Sequence, residues 1–230
     1  DEQLKWTNEQ FGMINSIFQG TYGIGLLGFG WFVDRFGTKI GYTVSLIGWS
    51  IAAMAHALVG SITGFGWARA ALGVSEGGNF PSAIKAVAIW FPKNERAFAT
   101  SLFNAGTNVG AIIAPAIVPA IALCWGWQAA FIIAGVMGFV WLFFWIPFYD
   151  VPERCKYVKD EELAHIRSDA PDSGGDGKVP WLTLFKHRQT WSFIVGKFMT
   201  DPVWWFFLIW LPDYFKKTRH LDIKNSWVHL

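Results

Sequence analysis

Residues 67–92 read WARAALGVSEGGNFPSAIKAVAIWFP and place an arginine and a glutamate inside an otherwise apolar run. A charge near the centre of a lipid bilayer costs about 3 kcal/mol or more, so an ionisable residue that stays there usually faces a cavity. Arg69 and Glu76 are separated by close to two helical turns, which puts both on one helix face, about 10 Å apart along the axis. The stretch predicts either a membrane helix whose charges address one ligand or a buried ion pair that only specifies packing.

The composition around this stretch favours a membrane protein. Of 230 residues, 53% are apolar and 18% aromatic, and the net charge of +2 gives no indication of nucleic-acid binding. A helix needs about 20 apolar residues to cross a bilayer. Six runs approach or exceed that length, and they predict an all-α membrane protein with six crossings at 11–33, 40–60, 64–91, 97–123, 127–148 and 191–213.

Basic residues predict the orientation of these crossings. The connections at 34–39 and 92–96 and the segment 150–190 carry lysine and arginine, whereas 61–63 and 124–127 carry none. The basic side is therefore predicted to be cytoplasmic, with the cluster Lys216, Lys217 and Arg219 as a local exception. Cys124 and Cys155 then fall on opposite sides of the membrane and are not expected to pair.

The predicted domains are a transmembrane bundle at 1–149, a charged cytoplasmic linker at 150–190 and the start of a second bundle at 191–230. The linker is rich in Gly, Ser and Asp around APDSGGDGK, a composition typical of flexible connections. The opening residues DEQLKWTNEQ have no initiating methionine or signal-peptide pattern. We expect the sequence to be a piece of a longer protein.

Two glycine patterns resemble enzyme motifs but lack the context that those motifs need. Residues 23–28 fit GxGxxG without a preceding strand, so the glycines more plausibly let neighbouring helices approach. Residues 73–77 fit GxSxG, the nucleophile elbow of hydrolases, without a strand-to-helix turn. A nucleotide site and an intramembrane hydrolase are therefore minor alternatives. Because no Walker sequence is present, ATP drive is not indicated.

Further polar side chains mark three of the predicted helices. Asn15, Gln19 and Tyr22 form a line that either joins helices or lines a cavity. In the crossing predicted at 97–123, amides and a hydroxyl that can bond sugar hydroxyls stand beside small residues that allow close helix contact, and in the run at 191–213 a charged pair precedes tryptophan. The residues at 97–123 are Asn104, Thr107 and Asn108 beside Gly106, Gly110 and Ala114, and those at 191–213 are Lys197, Asp201 and Trp204.

The last of these groups has two interpretations. Lys197 and Asp201 are one turn apart and can neutralise each other. Alternatively, Lys197 meets a substrate carboxylate while Trp204 offers a flat face to a sugar ring, and Asp201 joins Glu76 as a proton-coupling carboxylate. The residues alone leave both interpretations open.

A charged loop carries the first specific resemblance. Residues 30–41 read GWFVDRFGTKIG, which resembles the cytoplasmic signature of the major facilitator superfamily, G-x-x-x-D-R-x-G-x-[RK], between its second and third helices. Gly37 permits a tight turn, and Asp34 can cap a helix or pair with a nearby arginine. The resemblance implies a gate latch formed by Asp34, Arg35, Gly37 and Lys39.

A narrower resemblance covers nearly the whole chain. EGGNFPSAIKAVAIWFPKNERAFATSLFNAGTNVGAIIAP and GKFMTDPVWWFFLIWLP resemble the anion:cation symporter family, above all bacterial hexuronate transporters. This resemblance implies that Tyr22, Arg69 and the polar residues of the crossing at 97–123 bind substrate and that Glu76 couples protons. The chain would then supply helices two to seven of a twelve-helix fold.

The resemblance also implies a function. The expected protein is a monomeric, multi-pass transporter of the bacterial inner membrane that imports galacturonate or glucuronate with protons. It is not expected to be an enzyme or to need a cofactor or metal, and its other partner is the lipid bilayer. The alternatives are another organic anion such as an aldonate or aldarate, sodium coupling, or a non-transporting membrane sensor.

Overall fold

The computed structural model describes residues 6–169, 181–211, 214 and 218, so the basic cluster at 216–219 lies outside the described residues. The chain divides into two compact units, Asp1–Pro171 and Asp172–Leu230. Every regular element in the described part is helical, which confirms the all-α prediction. The first unit contains α1 (Asn8–Phe36), α2 (Thr38–Ala55), α3 (Ile62–Glu76), α4 (Asn79–Trp90), α5 (Arg96–Trp125), α6 (Trp127–Phe148) and α7 (Asp160–Ile166), with short 3-10 helices at His56–Leu58 and Pro152–Arg154; the second contains α8 (Trp181–Leu184) and α9 (Arg188–Ile209).

Within the described residues, three segments are both long and apolar enough to cross a membrane: Thr38–Leu58, Arg96–Trp125 and Trp127–Phe148. They correspond to three of the six predicted crossings. The predicted crossings 11–33 and 191–213 fall on α1 and α9, which have 29 and 22 residues. At 1.5 Å per residue, α1 is about 44 Å long and exceeds the roughly 30 Å hydrocarbon core of a bilayer. The predicted crossing 64–91 is divided between α3 and α4.

The division between α3 and α4 has a cause in the sequence. Pro81 has no amide hydrogen, and its ring clashes with the carbonyl group four residues earlier in a continuous helix. That residue is Gly77, and the helix is interrupted at Gly77 and Gly78. Glu76 is therefore the last residue of α3 and stands directly at the interruption.

Glycines allow α1 and α3 to pack closely. Gly25 of α1 lies against the backbone of Val74, and a Cβ added at Gly77 would lie 2.7 Å from the carbonyl carbon of Gly25. A Cβ at Gly73 would lie 2.6 Å from the carbonyl oxygen of Phe18. Gly25, Gly73 and Gly77 of the two enzyme-like patterns are therefore helix-packing residues, whereas Gly23 and Gly28 have nothing within 4 Å.

The other helices complete the first unit around α2. This helix packs against α3 on one side and α6 on the other, and α5 packs against α6 and α4. Gly135 and Gly138 of α6 lie against Ser50 of α2. The expectation that Gly106 and Gly110 form a close helix contact is not met within the described residues, because a Cβ at either position would have nothing within 4 Å.

Two turns between helices require glycine. Gly37, between α1 and α2, has φ +87°, and Gly126, between α5 and α6, has φ +86°. Other residues rarely adopt a positive φ, because their Cβ collides with the backbone. The predicted role of Gly37 in a tight turn is confirmed.

Candidate functional site

The charged side chains of α3 lie beside α1. Arg69 and Glu76 are both half-buried, as is Tyr22 of α1. Glu76 interacts electrostatically with both Arg69 and Tyr22. The carbon at the centre of the Arg69 guanidinium is 5.9 Å from the ring centroid of Phe18, a separation at which a cation is attracted by an aromatic face. The fold therefore brings a cation, a carboxyl group and a phenol together on two adjacent helices.

Arg69 retains donors for a further partner. Its Nε atom is buried without a hydrogen-bond partner, and a buried unpaired donor costs about 1–3 kcal/mol. The ion pairs found in the described residues do not join Arg69 to Glu76. An anion that accepts from this guanidinium would recover part of the cost, so the geometry is suited to binding a carboxylate.

Sequence reasoning did not identify Phe18 or the residues that hold the helix interruption. The Ser45 hydroxyl of α2 donates to the Ser75 carbonyl oxygen at 2.7 Å, and the Gly78 amide donates to the same oxygen at 3.2 Å. The backbone beside Glu76 is thus fixed from α2 as well as from α1. Pro81 was the available signal for the interruption, whereas nothing in the sequence indicated the contribution of Ser45.

The polar line on α1 is only partly directed at this site. The Asn15 amide donates to the Phe11 carbonyl oxygen of its own helix at 3.0 Å. Gln19 is half-buried, and Tyr22 is the member that lies near enough to Glu76 to be affected by its charge. Helix joining and cavity lining by this line both stay predictions.

The cavity between α1 and α3 is separate from the charged pair. It has a volume of about 280 Å³ and is lined almost entirely by apolar groups. Arg69 and Glu76 are absent from its walls, which are formed by Met13, Ile17, Ile62, Thr63, Gly66, Trp67 and Ala70.

The charged loop joins four helices at one end of the first unit. Lys85 of α4 donates to Asp34 Oδ1 at 2.8 Å and to the Val33 carbonyl oxygen at 3.0 Å. Lys39 at the start of α2 pairs with Asp150, beyond α6, at 3.2 Å. The partner of Asp34 is therefore a lysine rather than the expected arginine, and Gly37 occupies the N-cap position of α2. Tertiary contact decides this pairing, which a local motif does not reveal.

The groups around Asp150 favour its charged form. Its carboxylate accepts a hydrogen bond from the Val151 amide at 2.9 Å. This bond, followed by Lys39, holds the pKa of the Asp150 carboxyl group below its ordinary value. Arg35, the remaining charged member of the loop, is exposed.

The helix contacts of the first unit do not bring the polar residues predicted on α5 next to the charged pair. Asn104, Thr107 and Asn108 are all exposed. Their helix packs against α4 and α6, whereas Arg69 and Glu76 belong to α3, which packs against α1 and α2. Substrate binding by the three α5 residues stays a prediction.

In the second unit, Lys197 and Asp201 form an ion pair with 2.7 Å between Nζ and Oδ1. Both side chains are about half-exposed, and Trp204 is 53% exposed one turn further along α9. The geometry fits mutual neutralisation, and the proposed roles in substrate binding and proton coupling stay predictions.

Two observations concern metals and thiols. Within the described residues, no group of three His, Cys, Asp or Glu side chains could hold a metal ion. Cys124 and Cys155 are both free, as the predicted topology requires.

The fold and the site define a multi-helix membrane protein with charged groups inside an apolar bundle and a charged loop that fastens its helix ends. A sequence profile described as Major Facilitator Superfamily matches residues 1–229. The chain belongs to the major facilitator superfamily, and the resemblance based on the charged loop is confirmed.

Its curated relatives include transporters of sugar acids. The chain is 33% identical over 227 residues to the hexuronate transporter of Escherichia coli K12, covering 97% of this chain and 52% of that protein. It is 33% identical over 228 residues to the galacturonate transporter of Dickeya chrysanthemi, covering 97% and 66%. The D-galactonate transporter of Escherichia coli O6:H1 is 29% identical over 233 residues, covering 95% and 53%. The chain spans about half the length of most of these relatives, and their names confirm the narrower resemblance.

Proposed function

We propose that the protein is a proton-coupled importer of hexuronate-type sugar acids in the bacterial inner membrane. The observation that carries the proposal is the half-buried group of Tyr22, Arg69 and Glu76 on two closely packed helices. A hexuronate has one carboxylate and several hydroxyl groups, which match a guanidinium with unused donors and a neighbouring phenol. The names of the relatives support the same class of substrate.

In the proposed mechanism, Arg69 binds the substrate carboxylate through charge-assisted hydrogen bonds, and the Tyr22 hydroxyl adds a neutral one. Glu76 carries a proton in the loaded state, so that its negative charge does not oppose the anion. When the site opens to the cytoplasm, Glu76 releases the proton, and the resulting carboxylate weakens anion binding beside it. Substrate release is thereby linked to proton release.

The remaining predicted residues take part in alternating access. We place the proposed site near the membrane midplane, where secondary transporters bind their substrates. Asn104, Thr107 and Asn108, with Lys197 and Trp204, would recognise the polyol and carboxylate, and Asp201 is the second coupling candidate. The ion pair between Asp34 and Lys85 would act as a latch that closes the cytoplasmic side, together with the rest of the charged loop: Arg35, Gly37 and Lys39.

The first experiment measures uptake of labelled galacturonate and glucuronate into vesicles containing the protein, with and without an inward proton gradient. Accumulation that depends on the gradient is the expected result. Glu76→Gln keeps the size of the side chain and removes the titration, so it should retain exchange of substrate across the membrane and lose accumulation. Glu162→Gln, on α7 outside the predicted crossings, is the matched control. Accumulation by Glu76→Gln equal to that of the control would exclude the coupling role.

The same vesicles test the role of Arg69. Arg69→Lys keeps the charge but loses the planar set of donors that binds a carboxylate in two places. We expect the KM for galacturonate to rise about tenfold, the effect of one lost charge-assisted hydrogen bond, with little change for Arg154→Lys on the exposed 3-10 helix. An unchanged KM would remove Arg69 from the substrate site.

Aldonates and aldarates are the second candidate substrates. Two relatives are named as a D-galactonate transporter and a probable galactarate/D-glucarate transporter. Competition against labelled galacturonate by unlabelled galactonate and glucarate distinguishes these substrates. A sodium gradient that replaces the proton gradient identifies sodium coupling, and binding without accumulation of any member of this panel identifies a sensor.

A further inference from the structure

A groove lies at the ends of α4 and α6, and the charged pair is not part of its lining. This open groove of about 280 Å³ runs between the two helices and is lined by Ala86, Val87, Trp90, Phe91 and Tyr149, which we call the interfacial groove. Its lining is apolar. Ala86 and Val87 lie one turn further into α4 than Trp90, so the groove extends from the end of the helix toward the apolar span.

Two aromatic residues in the wall of this groove carry hydrogen-bond donors that have no partner. The Trp90 indole nitrogen and the Tyr149 hydroxyl are both buried and unpaired. The Tyr149 hydroxyl faces the hydroxyl of Thr38 and the indole of Trp90 but makes no hydrogen bond of normal geometry with either. Burial raises the pKa of the Tyr149 hydroxyl above its ordinary value, so this group remains a donor at neutral pH. Both rings belong to the wall of the groove, but their polar atoms are covered and give it no polar surface.

A cation lies at the end of α4, next to Phe91 in the wall of the groove. Arg96 donates from Nε to the Phe91 carbonyl oxygen at 3.1 Å and from Nη2 to the Ala88 carbonyl oxygen at 2.9 Å. A guanidinium has five N–H donors, so about three of them remain. The neighbouring acidic residue, Glu95, is engaged by His165 at 2.9 Å. Positive charge at this position is therefore available to an anion.

We propose that the interfacial groove binds one anionic phospholipid. Its phosphate is held by the remaining donors of Arg96, and one acyl chain lies on Ala86, Val87 and Phe91. A soluble anion would satisfy Arg96 but would leave the apolar floor exposed, whereas a phospholipid satisfies both Arg96 and the groove. Tryptophan and tyrosine at the ends of membrane helices are typical of the headgroup level, and basic pockets between such helices recognise acidic headgroups. The proposal does not depend on the transported substrate.

The test is a native mass spectrometry titration of the purified protein with phosphatidylglycerol and with phosphatidylcholine of the same acyl chains. We expect phosphatidylglycerol to bind about tenfold more tightly, the effect of one charge-assisted contact. Val87→Trp fills the groove without touching Arg96 and should reduce phosphatidylglycerol binding about tenfold. Val140→Trp, at an exposed position of α6, is the matched control and should bind as the unaltered protein does. Arg96→Gln should abolish the preference for the anionic lipid.

The outcomes distinguish a defined site from general attraction to charge. Equal binding by Val87→Trp and Val140→Trp would overturn the proposal, as would loss in Arg96→Gln without loss in Val87→Trp. Displacement of the lipid by millimolar inorganic phosphate would identify a soluble anion as the occupant and would equally overturn it. Because Arg96 also holds the end of α4, thermal unfolding of each variant is measured first. If Arg96→Gln does not fold, the comparison of Val87→Trp with Val140→Trp shows whether the lipid binds in the groove.

Discussion

Gly77→Ala tests whether close packing of α1 and α3 fixes the position of Glu76. A Cβ at residue 77 would lie 2.7 Å from both the carbonyl carbon of Gly25 and the amide nitrogen of Leu26. Favourable contacts between carbon atoms are about 3.5–4.0 Å long, so the two helices must separate by roughly 1 Å. The contacted atoms are backbone atoms, which cannot move aside as the end of a flexible side chain can.

The cost follows from comparison with a glycine that has no neighbours. Gly110→Ala on α5 introduces a methyl group with nothing within 4 Å, and alanine is favoured over glycine in a helix by about 1 kcal/mol. Overpacking at a tight contact costs about 1–3 kcal/mol. We therefore expect Gly77→Ala to be less stable than Gly110→Ala by at least about 1–3 kcal/mol, or about 2–12 °C in Tm for a chain of this size.

The assay is thermal unfolding in detergent, followed by circular dichroism, with both variants prepared identically. Glu76 precedes the substituted residue, so Gly77→Ala should also lower proton-dependent uptake, while Gly110→Ala should leave the coupling of uptake to protons unchanged. A Tm for Gly77→Ala equal to or above that of Gly110→Ala would refute the packing argument, because the added methyl group would then have found room.

Two further predictions concern the charged loop. In a double-mutant cycle, Asp34→Asn and Lys85→Met should show a coupling energy of only about 0.2–1 kcal/mol, because the Asp34 side chain is 73% exposed. The coupling energy is measured by denaturant unfolding of the two single variants and the double variant. A value above about 2 kcal/mol would contradict a solvent-screened pair. The lowered pKa of Asp150 supplies stability that is present above about pH 4 and lost as the pH falls through the folded-state value. Asp150→Asn should therefore reduce the fall in Tm between about pH 5 and pH 3, and an unchanged fall would exclude this contribution.

The helical architecture could be predicted because its cause is local. A long apolar run has few stable alternatives to a helix in a bilayer, since every backbone polar group must be satisfied internally. The turn at Gly37 was predictable for the same reason, because its positive φ selects glycine within a short window. The division of the predicted crossing 64–91 was also indicated in the sequence, by Pro81, but the continuous apolar run around it favoured a single helix.

Pairings between distant residues could not be predicted in the same way. Lys85 reaches Asp34 on another helix, and this partner depends on how α1 and α4 meet. The small residues of α5 show the opposite problem. Small residues make a close helix contact possible, but they do not determine whether a neighbouring helix is present. Within the described residues, no close contact forms at Gly106 or Gly110.

The interruption after α3 connects packing to the proposed chemistry. A continuous helix would satisfy the backbone around Glu76 internally, whereas the interruption requires support from α1, through Gly25, and from α2, through Ser45. Any movement of α1 relative to α3 must therefore also move the backbone that carries Glu76. If transport opens the site to each side in turn, such a movement would change the surroundings of Glu76, the proposed coupling residue. The close glycine contacts and the proton step then depend on the same few residues, so substitutions at either should alter both stability and coupling.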